Sequence, residues 1–168
     1  NADGGFGHGF EPDLRLPESS VIATTVALQV LRDIGTSANH PLAIGAIQYL
    51  MNTYDSAQSV WPIVPSEIGE APHAPWWTDD PGAWGHFLAN PRAEIVGYLW
   101  QYRSLVPSGL VENLTEKAVH HLHNLPDAME MHEFLCYVRL IQTPVLRQIG
   151  LVMRADDLSG PSASIAHA

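Results

Sequence analysis

The sequence predicts an all-α protein assembled from α/α hairpins in which inner and outer helices alternate. Three observations predict it. Helix start and stop signals recur along the chain, strand-type alternation is nearly absent, and the helices fall into two kinds, apolar nearly all round or apolar along one stripe.

Pro17 and Glu18 suit a helix start and Gly35 a stop, so the spacing predicts a first helix over 18–34, with "VIATTVALQVL" as its body. A second follows Pro41 and runs to Thr53, with Ile44, Ile47 and Met51 as its stripe. Asn90-Pro91 reads as an N-cap followed by proline at the first helical position, opening a third helix that Pro107 closes. Ser108 caps a fourth, to Asn124. Its stripe is Leu110, Leu114, Ala118, Leu122 and Leu125, with Glu112, Glu116, Lys117, His120 and His123 turned away. Asp127 caps a fifth, to Gln142, and Thr143-Pro144 opens a sixth, to Arg154, with Val145, Ile149 and Val152 on one side. The first, third and fifth are apolar around most of their circumference, as helices surrounded by protein are. The even ones read as an outer layer.

Three inner–outer hairpins in succession predict an α/α repeat, either a solenoid or a closed toroid. Residues 1–155 read as one such domain, and the small polar residues and proline of 156–168 as a flexible tail. Three hairpins make about half a ring, so further chain or a homodimer is expected to cover the exposed flanks. Inner helices of successive hairpins run parallel, so the segments entering them, 1–17, 54–90 and 124–127, are expected to converge at one mouth. The first two are long and rich in glycine, proline and tryptophan, and long loops gathered on one face are where function concentrates.

Composition narrows the partners. With 18 acidic against 8 basic residues the net charge is −10, and the only lysine is Lys117. Phosphate binding needs clustered Lys and Arg, so neither nucleic acid nor an anionic membrane is expected as a partner. The single cysteine, Cys136, cannot form an internal disulfide, and the chain shows no secretory leader or membrane-length apolar run. The cytoplasm is the expected location.

Candidate site residues lie in the two long loops. "GFGHGFEPDLR" sets His8, Glu11, Asp13 and Arg15 among glycines, where Arg15 can pair with Asp13 or Glu11. The glycines read as a turn that reaches left-handed angles, with Phe6 plugging the gap between helices; a dinucleotide fingerprint lacks both its final spacing and a preceding strand. "APHAPWWTDDPGAWGHF" brings His73, Trp76, Trp77, Asp79, Asp80 and Trp84 together. Tryptophan faces there serve to stack on sugars, to stabilise cations or to pack a lid. Glu94, in the first turn of the third helix, gains from the helix dipole. Asp13, Asp79, Asp80 and Glu94 are the candidate acids and bases; His8, Glu11, Arg15, His73, Trp76, Trp77 and Trp84 are the candidate ligand contacts. His132 and Cys136 share a helix face at i, i+4, but two ligands do not close a zinc site, and no metal is expected.

"NADGGFG", ahead of an inner helix, resembles the Q-x-x-D-G-G-[FW]-G repeat of terpenoid cyclases and protein prenyltransferase β subunits. "AIQYLMNTYDSAQSVWP" resembles a degenerate second copy, with Trp61 at the aromatic position. The resemblance covers residues 1–62 and implies an α/α toroid whose central apolar cavity takes an isoprenoid-like small molecule. The Asp-x-Asp-Asp acid motif of squalene–hopene-type cyclases is absent, with Thr78-Asp79-Asp80 and Ala155-Asp156-Asp157 as partial echoes. Cys136 does not stand in the local motif by which protein prenyltransferases hold zinc. The resemblance therefore implies a fold and a cavity, not one activity. A carbohydrate-binding or carbohydrate-cleaving toroid and a non-enzymatic scaffold are the alternatives.

Overall fold

The computed structural model describes residues 1–77, 90–125, 129–144 and 146. The described residues are all-α: five α-helices, with β-pairing confined to isolated bridges. No helix among them is long and apolar enough to cross a membrane. The helices are α1 (Val21–Asp33), α2 (Pro41–Thr53), α3 (Arg92–Gln101), α4 (Leu110–His123) and α5 (Met131–Ile141), with 3-10 turns at Ser66–Glu70 and Arg103–Leu105. The chain divides into two compact units, Asn1–His86 with Ser104–Val106, and Phe87–Arg103 with Pro107–Ala168.

In the N-terminal unit α1 packs on α2. Helix α1 begins at Val21, three residues later than its proline suggests. Residues 16–20 are held instead in pairing with the glycine loop: His8 N–H donates to Leu16 O at 2.7 Å, and Ser20 N–H to Phe6 O at 3.0 Å. Ser20 then caps the helix, its hydroxyl accepting from Ala23 N–H. Helix α2 buries Ala43, Ala46, Ile47, Tyr49 and Leu50, so the buried face is rotated from the expected Ile44–Ile47–Met51 stripe. Its small residues mark a close approach, with Gly45 lying against the backbone of Gly4. The Trp61 indole N–H closes the end of α2 by donating to Leu50 O at 2.7 Å, and its ring meets Tyr54. Beneath the loops sits an apolar cluster of Leu14, Leu16, Ile22, Ile63, Val64 and Ile68.

In the C-terminal unit α3 is the centre and packs against both α4 and α5. Ala93 through Trp100 are all buried, as expected of an inner helix. Pro91, not Asn90, occupies its N-cap, and the helix ends at Gln101, well short of Pro107. At Gly97 the backbone of α5 approaches so closely that a Cβ would lie 3.3 Å from Leu140 Cα and 2.9 Å from Thr143 Oγ1. Trp100 Nε1 donates to Thr115 Oγ1, tying α3 to α4, and Tyr137 O–H donates to Ala118 O, tying α5 to α4. The buried stripe of α4 is Val111, Leu114, Thr115, Ala118 and Leu122, with Glu112, Glu116, Lys117, His120 and His123 exposed, close to expectation. Its N-cap is Gly109 at φ +83°, not Ser108.

Helix α5 departs most from expectation. Only Cys136, Tyr137 and Leu140 are buried, while Met131, Phe134 and Leu135 are exposed, so it is amphipathic rather than enclosed. Glu130 caps it, accepting from His132 N–H and Glu133 N–H; Asp127, the expected cap, lies outside the described residues, as does the sixth helix apart from Pro144 and Leu146.

Candidate functional site

The two long loops of the N-terminal unit form one backbone-bonded layer. Arg15 N–H donates to Pro72 O at 3.0 Å, Ala74 N–H to Asp13 O at 2.8 Å, and Leu14 pairs with His73. The sequence around Asp13 alternates: Leu14 and Leu16 point into the core at 2 % and 1 % exposure, whereas Asp13 and Arg15 lie on the outside. That period of two is what a strand-like segment on a core imposes. The same backbone contacts join the 1–17 loop to residues 72–74 of the 54–90 segment.

The glycines hold this layer in place. Gly4 sits at φ +87° with its α-carbon against the Gly45 backbone, and Gly7 is pressed onto the Pro17 and Glu18 carbonyls. Asp3 Oδ1 accepts from Gly5 N–H at 3.0 Å and from Ser19 O–H at 2.8 Å, folding the motif onto the start of α1. Tyr49 O–H donates to Ser19 O; burial, and secondarily the charge of Asp3, push that phenol up to about 12. Phe6 is half-buried and meets Phe10 edge to face at 5.2 Å. His8, between Gly7 and Gly9, is itself left-handed at φ +54° and exposed. Histidine tolerates that region better than bulkier residues do, and the geometry turns its ring outward to solvent.

Several candidates therefore share one layer: His8, Glu11, Asp13, Arg15, His73, Trp76 and Trp77. Glu11 is half-buried, and its carboxylate accepts from Asp13 N–H at 3.4 Å. Among the described residues no ion pair joins Arg15 to Asp13 or Glu11. The adjacent tryptophans diverge: Trp77 packs against the apolar cluster, whereas Trp76 is 61 % exposed. Asp79, Asp80 and Trp84 lie outside the described residues.

Glu94 belongs to the other unit and has a different environment. Although its residue is only 2 % exposed, three donors meet its carboxylate: Tyr98 O–H, Arg139 Nη1 at 2.9 Å and Cys136 Sγ at 3.7 Å. Sequence reasoning singled out Glu94 and Cys136 but missed Arg139 and Tyr98. Tyr98 stands one helical turn from Glu94, a spacing visible in the sequence; Arg139 offers no comparable signal.

His132 and Cys136 do not act together. The His132 side chain is exposed and bonded to Glu130 at 2.7 Å, while Cys136 is buried beside Asn90 and Glu94. Burial, and then the negative charge of Glu94, push the Cys136 thiol well up, away from the thiolate that nucleophilic chemistry needs. We expect Cys136 in the folded protein to react with a disulfide probe such as DTNB more than about a hundredfold slower than in denaturant; rapid native labelling would show the thiol to be accessible. On α4, His121 bonds Glu133 of α5 at 2.8 Å. Among the described residues no group of His, Cys, Asp and Glu is arranged to hold a metal ion. No protein-family model, no curated protein and no solved structure matches this chain.

Proposed function

We propose that the chain is a small-molecule-binding protein whose ligand seat is the outer face of the loop layer in the N-terminal unit. One observation carries this reading: exposed aromatic, acidic, basic and imidazole side chains stand on a backbone that the core beneath already holds rigid. A ligand meeting such a layer loses little free energy to ordering it. Glu94 supports the reading by contrast, since a carboxylate enclosed by three donors has no face open to a substrate.

The α/α repeat, closing into a toroid, is part of the same proposal. Its support is the alternation of the largely buried α1 and α3 with the one-sided α2 and α4. The exposed Met131, Phe134 and Leu135 support further chain or a second copy as the cover for α5. The acidic balance and the single cysteine support a cytoplasmic protein that meets neither nucleic acid nor membrane.

An apolar, isoprenoid-like ligand and a carbohydrate are the two classes to compare, the first on the D-G-G-F-G resemblance. Thermal-shift screening of isoprenoid diphosphates and oligosaccharides on wild type and Asp13→Asn tests the seat. Asp13 is exposed, so the variant should melt within about 1–2 °C of wild type while losing most of the ligand-induced shift. Equal ligand shifts in the two proteins would remove the loop layer as the seat.

A further inference from the structure

We infer that the ligand of this layer is a carbohydrate, with the Trp76 indole as its stacking platform and Asp13 and Arg15 as partners for ring hydroxyls. The inference rests on the loop layer being the seat proposed above.

Ala74, Pro75, Trp76 and Trp77 form a turn closed by Trp77 N–H donating to Ala74 O at 2.9 Å. Pro75 fixes the second position of that turn, which leaves Trp76 at the tip with a defined backbone. The turn is anchored at both ends. Ala74 is bonded to Asp13, and Trp77 is packed against the apolar cluster. Trp76 thus stands 61 % exposed on one of the better-anchored loops of the unit, where burying an aromatic ring would be worth roughly 25 cal/mol per Å². An exposed ring on an anchored backbone is a platform, and the negative face of the indole suits the C–H face of a pyranose.

The neighbouring groups fit hydroxyls better than they fit phosphate. Asp13 and Arg15 flank Leu14, and among the described residues neither side chain makes a hydrogen bond or ion pair. A carboxylate and a guanidinium side by side present two acceptors and a fork of donors, which is what vicinal hydroxyls require. One arginine next to a carboxylate, on a chain of charge −10, does not make an anion site.

The test is titration of the full 168-residue chain with cellohexaose, maltohexaose and chitohexaose, followed by calorimetry and tryptophan fluorescence. At least one should bind. Trp76→Ala should weaken it about tenfold and Trp76→Phe about threefold or less, with melting temperatures unchanged because the side chain is exposed. Failure of all three sugars to bind, or unchanged affinity in Trp76→Ala, would overturn the inference. Geranylgeranyl diphosphate binding that is sensitive to Asp13→Asn but not to Trp76→Ala would overturn the carbohydrate and leave the seat standing. Were no ligand of either class sensitive to Asp13→Asn, the seat would fall as well. Self-association that Trp76→Ala abolishes, with no sugar bound, would make Trp76 a protein contact and overturn the inference.

Discussion

Gly4→Ala and Gly7→Ala should each destabilise the N-terminal unit by about 3 kcal/mol, lowering Tm by about 6–12 °C, while Gly9→Ala should cost only about 1 kcal/mol. A Cβ on Gly4 would lie 2.7 Å from the Gly45 carbonyl carbon and 2.8 Å from its α-carbon, with the carbonyl oxygen closer still. On Gly7 it would lie 2.5 Å from Pro17 O and 2.7 Å from the Glu18 carbonyl carbon, again with an oxygen nearer. All of these neighbours are backbone, which cannot rotate away as a side chain can, so the loop must separate from α2 at Gly4 and from the segment ahead of α1 at Gly7. Gly9 is left-handed at φ +75° with nothing within 4 Å of the added carbon, so only the backbone preference is lost. Urea or thermal denaturation of the three variants reads the difference directly. Equal losses at Gly4 and Gly9 would show that conformation, not close packing, is what these glycines supply.

That contrast explains why the glycine motif was only half legible in the sequence. A turn needing left-handed angles accounts for Gly4 and Gly9, but the pressing of Gly4 on Gly45 joins residues some forty positions apart, roughly beyond the reach of any local pattern. The same contact rotates α2. Ala43 and Ala46 contribute little hydrophobicity, so periodicity favours Ile44 and Met51, yet small residues are what allow two backbones to meet. Helix existence was readable because caps and punctuation are local. The start of α1 was misplaced because its first expected turn is occupied by pairing with residues 6–8.

Of the three segments expected to converge, the structure joins residues 13–15 of the first to 72–74 of the second. The pairing partners, and the outward Trp76 beside an inward Trp77, were not legible, since two identical adjacent residues carry no sign of which faces the core. Helix α5 shows the opposite failure. Its sequence is apolar nearly all round, and composition alone cannot say that Met131, Phe134 and Leu135 lack neighbours where Cys136 and Tyr137 have them.

In the C-terminal unit, Arg139→Met should cost about 3 kcal/mol, clearly more than Glu94→Gln, at about 1 kcal/mol. The asymmetry comes from burial. The Arg139 side chain is 30 % exposed and can turn to water when its partner is neutralised, whereas that of Glu94 is 2 % exposed and cannot. Among the described residues, removing the guanidinium leaves the carboxylate with Tyr98 O–H and the weak thiol donor of Cys136 as its side-chain donors. Tyr98 O–H donates to one oxygen of Glu94 and Arg139 to the other, so a glutamine can keep its one oxygen toward Arg139 and turn its amide N–H to the Tyr98 phenol oxygen, which can accept. The double variant Glu94→Met/Arg139→Met separates pairing from packing: with no charge left to desolvate, it should recover most of the stability that Arg139→Met loses. Chemical denaturation of the three proteins gives the coupling between the two sites. A double variant no more stable than Arg139→Met would mean that the arginine acts through the packing of its stem along α3. The carboxylate would then be held by Tyr98 and the helix N-terminus without needing its ion pair.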